Sequence, residues 1–177
     1  MKTCEHLILL AAYNASMNQK VYDAAATLPE HEVMADRKAF FGSIFGTLNH
    51  IIAGDTIWLT RFATHPARHG ALDALRGQTP PTSLTASAAS DLAGLYEKRR
   101  QLDAIITQWA AQLSEADLDH VLHYASTKGV PSQKRYGDLA LHFFNHQTHH
   151  RGQASTLLFQ AGVDIGVTDL LVLIPNT

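Results

Sequence analysis

The chain has 177 residues, 46% of them hydrophobic and 17% charged, with a formal net charge of −2 at pH 7. That balance excludes a disordered polymer, and the length suits one domain spanning 1–177 with a real core. Lys and Arg are scattered instead of clustered, so nucleic acid is not an expected partner, and no segment reaches the ~20 apolar residues that a membrane span needs.

Lys2 ahead of Leu7 to Ala12 has the outline of a signal peptide, but Glu5 and His6 interrupt it and the apolar pattern runs on at helical spacing. The spacing predicts a first helix from about Cys4 to Thr27, with a stripe of Leu7, Leu10, Asn14, Met17, Val21 and Ala25 and with Pro29 just past its end. Cys4 is the single cysteine and cannot form an internal disulfide, which fits a cytoplasmic protein. A second helix is expected from about Arg37 to Phe62, capped by Asp36, with Phe41, Phe45, Leu48, Ile52, Leu59 and Phe62 on its apolar face. Residues 64–90 are rich in Pro, Gly, Thr and Ser, and are expected to cross the end of the bundle or to shape a cleft.

A third helix is predicted over about Ala88 to Leu113, followed by a capped turn at Ser114 to Asp117. Val121 to Ser126 and Ser132 to Tyr136, on either side of Lys128-Gly129, read as a small hairpin. The last long helix runs from about Gly137 to Ala161, with Gly162 as its stop. Leu170 to Ile174 is expected to dock as a short helix or extended tail. The fold class is therefore all-α: a four-helix bundle with one long connection and a small β-hairpin before the last long helix.

Eleven histidines are present, and the last long helix concentrates them in LHFFNHQTHHRGQASTLLFQ. His142, His146 and His150 recur at every fourth position, which stacks imidazoles on one helical face, with His149 alongside. That pattern points to metal coordination. At about 100° per residue His146 lies between its two neighbours, so either His142/His146 or His146/His150 can supply a pair. A third ligand has to come from another helix, and the second helix offers His50 among the small residues Gly46, Thr47, Ala53 and Gly54, which suggest a hollow beside the ring. His65 and His69 have the same spacing, but Pro66 and Gly70 place them in a loop, where exposure is expected. His120 and His123 are expected to face solvent or the cleft mouth. Tyr13, Asn14, Asn49 and Asn145 are candidates for lining the cleft, Gln153 for supporting a ligand, and Arg151 for pointing outward or pairing with Asp55.

The run FFGSIFGTLNHIIAGDTIWLTRF, with HFFNHQTHHRGQASTLLFQAG, YNASMNQKVYDA and the Leu-Pro after it, resembles the DinB/YfiT-like helical-bundle family (the damage-inducible DinB superfamily) over most of the chain. The resemblance implies a metal on three histidines, which here are His50, His146 and His150, and makes His142 a neighbour. It also implies that some relatives transfer low-molecular-weight thiols while many others have no assigned reaction. The expected cofactor is a divalent metal ion, zinc or nickel first and iron or manganese next, since imidazole ligands alone do not fix the metal. The expected function is a metal-dependent enzyme acting on a small molecule, as a small-thiol transferase or as a hydrolase, with no general base identifiable. The alternative is a non-catalytic, metal-stabilised stress or binding protein. A homodimer is the expected assembly.

Overall fold

The computed structural model describes residues 2–176; Met1 and Thr177, the ends of the expected 1–177 domain, lie outside it. In chain order the elements are α1 (Thr3–Ala25), α2 (Glu30–Met34), α3 (Ile44–Phe62), a 3₁₀ turn at Gly70–Leu75, α4 (Leu92–Gln112), α5 (Glu115–Leu118), β1 (Val121–Ala125), β2 (Pro131–Arg135), α6 (Tyr136–Gln160) and a 3₁₀ turn at Leu170–Leu173. The four long helices α1, α3, α4 and α6 form the bundle. Helices α1 and α3 each pack against both α4 and α6, so α1 and α3 sit on opposite corners. The strands pair antiparallel from Val121 with Arg135 to Ala125 with Pro131, as the hairpin reading anticipates.

The second predicted helix begins late. Residues 36–43 form a loop instead of its first two turns, because the Asp36 carboxylate accepts from the Lys38 backbone N–H and caps no helix. Gly42 at φ +76° then turns the chain, and the Ser43 hydroxyl caps α3 by accepting from the Gly46 N–H at 2.9 Å. Gly46 is small because the Phe41 carbonyl presses against the place where its Cβ would stand. It opens no hollow. The short α2 was not anticipated; it starts at Glu30, straight after Pro29, whose extended backbone and missing N–H suit the position before a helix. Helix α4 starts at Leu92, four residues after the expected Ala88, behind an Asp91 cap. Helix α6 ends before Gly162, whose φ of +84° suits the expected stop.

The bundle has two kinds of interior. Around Trp109 the core is aromatic: Phe62 stacks on the indole at 5.1 Å between centroids, Phe143 and Phe144 pack against it, and its N–H donates to the Tyr136 hydroxyl at 2.9 Å. Burial of one such ring contributes about 1.5–3 kcal/mol. At mid-height the interior is polar. Asp55 on α3, Arg99 and Asp103 on α4, Asn14 and Asn18 on α1, and Gln147 and Arg151 on α6 meet there, all but Asp103 almost fully buried. Asp55 accepts from Arg99 on one oxygen and from Gln147 at 2.9 Å on the other, and Asp103 receives Arg99 at 3.0 Å and Asn18 at 2.8 Å. Two carboxylates thus balance two guanidiniums across all four helices. Arg151 is buried, not outward, and donates to Asn14; the partner of Asp55 is Arg99. The tail from 167 to 174 is held at its start, where Tyr13 and Lys20 donate to the Thr168 and Val167 carbonyls, while Leu171 to Ile174 stay exposed. Among the described residues, no helix is long and apolar enough to cross a membrane.

Candidate metal centre

Helices α3 and α6 run antiparallel, and their facing residues match one turn at a time. His50 meets His150 with centroids 4.3 Å apart. One turn on, Gly54 faces His146, and a Cβ at Gly54 would stand 2.9 Å from the His146 Cε1. One turn further, the Trp58 ring lies edge to face with His142 at 5.2 Å. A glycine opposite His146 therefore lets that imidazole swing toward His50, whereas an indole opposite His142 fills the equivalent space. His50, His146 and His150 come together, and His142 packs against Trp58.

The three imidazoles converge through the same atom. Nε2 of His50 lies 3.3 Å from Nε2 of His146 and 3.1 Å from Nε2 of His150. Two nitrogens each ~2.0–2.1 Å from one ion and at a tetrahedral angle would be about 3.3 Å apart. His50 is buried while His146 and His150 are partly exposed at the edge of the α6 core face, which is centred on Phe143, Gln147, Arg151 and Ala154. His146 is thus not the deepest position of its helix.

Hydrogen bonds outside the cluster fix which nitrogen carries the proton. His50 Nδ1 faces the Leu84 carbonyl at 3.0 Å, and a carbonyl can only accept, so Nδ1 bears the hydrogen and Nε2 a lone pair. His150 Nδ1 faces the Gln153 Oε1 at 2.8 Å with the same result. The two Nε2 atoms therefore aim lone pairs at each other, an arrangement that repels unless a cation sits between them. Burial lowers the pKa of His50 and His150, and with the neighbouring imidazoles it pushes His146 down to about 3, so all three rings are neutral at neutral pH. The donor set fits a borderline-soft divalent ion.

The long connection reaches the site. Its Leu84 carbonyl orients His50, and Asn49 ties it down by donating to the Ala86 carbonyl at 3.0 Å and accepting from the Ala88 N–H at 2.8 Å. Asn49 is thus a strut for the loop, while Tyr13 and Asn14 lie away from the triad and Asn145 is exposed. Gln153 supports His150 as its position one turn on suggests. Phe41, expected on a helical core face, instead lies in the 36–43 loop and stacks on His50 at 3.8 Å with a 15° interplanar angle. The Gly42-Ser43 pair, followed three residues later by Gly46, was the signal that the helix starts after it. His65 and His69, expected to be exposed, are buried beside Tyr136, and His120 is half-buried against His65; His123 is exposed as expected.

The sequence matches the DinB family over residues 1–176. Protein DinB of Bacillus subtilis (strain 168) is 24% identical over 162 residues, which cover 90% of this chain and 88% of that protein. No solved structure matches the chain.

Proposed function

The chain belongs to the DinB family, and from that premise we propose that it is a divalent-metal-dependent enzyme acting on a small molecule, of the small-thiol transferase type or, as a close variant, a hydrolase. The observation that carries the reading is the pair of fixed imidazoles, His50 and His150, whose lone pairs meet at 3.1 Å with His146 beside them. Held by three neutral ligands, such an ion supplies undiminished Lewis acidity, which lowers the pKa of a thiol or a water.

The residues around the triad do the remaining work. Leu84 and Gln153 keep Nδ1 of His50 and His150 protonated, so the Nε2 lone pairs stay available. Phe41 covers the His50 face and excludes water from it. His146 and His150 leave one side of the cluster reachable from solvent, flanked by the exposed His142 and His149. That is the side from which a small substrate would approach.

Metal content of the purified wild type and of His146→Ala, followed by a screen of small thiols against electrophilic acceptors, tests the proposal. The wild type is expected to carry one more equivalent than the variant, and to lose turnover but not its helical fold when treated with EDTA. Equal metal in the two proteins would reject the ligand assignment. Collapse of the fold on chelation, with no turnover under any condition, would favour the non-catalytic, metal-stabilised alternative.

A further inference from the structure

We propose a second divalent-cation site, separate from the triad, formed by His65, His69 and Asp117 where the long connection meets α5. Each of the three offers a donor atom, and these atoms lie within 4.8 Å of one another. The site stands past the C-terminal end of α3, and His50 to Phe62 alone spans roughly 18 Å at ~1.5 Å per residue. The two clusters share no residue.

The second observation is an orphan. Nε2 of His69 is buried with no hydrogen-bond partner, on a side chain only 7% exposed. A buried imidazole nitrogen without a partner destabilises the fold, and a cation shared with a nearby carboxylate would remove that penalty. Asp117 supplies the carboxylate: one oxygen is held by the Ser114 N–H at 2.8 Å and the Ser114 hydroxyl at 2.7 Å, which fixes the side chain at the start of α5. The His65 and His69 rings stack at 5.2 Å, and Tyr136 lies 4.6 Å from His65. Burial lowers the pKa of both histidines, so both are neutral at neutral pH. Two imidazoles with one carboxylate suit zinc and its first-row neighbours better than magnesium or calcium.

The site also carries a cost. Nδ1 of His65 accepts from the Ala67 N–H at 3.1 Å, and Nε2 donates to the Asp117 carbonyl at 3.3 Å. To bind through Nε2 the ring must move its proton to Nδ1, and the Ala67 N–H must turn away. Ala67 is exposed, so water can take over that N–H. The ion here is consequently held more weakly than at the triad. Its role is to clasp the turn after α3 to α5.

Zinc titration of the EDTA-stripped protein against a chromophoric chelator tests this. Wild type is expected to take two equivalents, one tight and one weaker. His69→Gln and Asp117→Asn each lose the weaker one, His146→Ala loses the tight one, and far-ultraviolet circular dichroism confirms that each variant is folded. A single equivalent that disappears in His69→Gln supports this site and rejects the triad. A single equivalent that survives both His69→Gln and Asp117→Asn, a second that survives both, or no zinc at all overturns the proposal.

Discussion

Helix α6 carries two sets of polar side chains, and they have opposite fates. Gln147 and Arg151 enter the middle of the bundle, where Asp55, Asn14 and their neighbours answer them. His146 and His150 point into the groove beside α3, where the His150 Nε2 meets the lone-pair-bearing Nε2 of His50 at 3.1 Å and His146 stands beside the pair. A polar group that the fold satisfies belongs to the architecture; one that the fold leaves facing its like is waiting for a ligand. Polarity or spacing alone does not separate the two sets, since both sit at four-residue intervals on the same helix.

The sharpest way to break this contrast is to cut each set separately. Asp55→Ala leaves the buried Arg99 guanidinium with Asp103 as its one remaining carboxylate and strips Gln147 of its acceptor, and should cost about 3–5 kcal/mol, read by urea denaturation. The loss should be the same with and without EDTA; a loss that chelation removes would place Asp55 in the metal site. His150→Ala should act in the other direction, with little effect on the stripped protein. In hundredfold excess of metal over its dissociation constant the wild type gains about 2.7 kcal/mol, and the variant should forfeit that gain in matched melts. Equal metal-induced shifts in both proteins would refute the contrast.

Gln153→Ala probes the support of the triad. It should weaken metal affinity by ~10–100-fold while leaving the stripped protein's melting temperature nearly unchanged. An unaltered affinity would mean that the His150 tautomer is set by something else.

The smallest effect concerns pH. His50, His146 and His150 all have folded pKa values below the ordinary imidazole value. Between those depressed values and ~6.5 the unfolded chain binds protons that the native chain does not. Stability of the stripped protein should therefore hold above ~6.5 and decline as pH falls below it, and substitution of His146 should flatten the decline. Acidification should also release metal, because each ligand must be neutral to bind. Full occupancy at about pH 4.5 would contradict an all-imidazole site.

Much of the bundle was legible because local rules acted without competition. Leu7, Met17 and Val21 mark α1 by period, the Ser114–Asp117 capping box marks α5, and Gly162 marks the end of α6. The start of α3 misled because Phe41 continues the apolar rhythm of the helix, while Gly42 and Ser43 break the backbone first. His65 and His69 misled for the opposite reason. Their loop-like neighbours Pro66 and Gly70 say nothing about burial, which is imposed by Tyr136 and α5, far along the chain.

That imidazoles would line one face of α6, with a histidine on α3 ready to join them, could be read along the chain, because helical periodicity and composition are properties of short stretches of it. Which imidazoles meet is set by the packing of α3 on α6. That choice depends on what stands across the groove: a hydrogen at Gly54 leaves room for His146, and an indole at Trp58 occupies the room of His142. Steric exclusion between two helices is a property of the pair, and neither strip of sequence contains it.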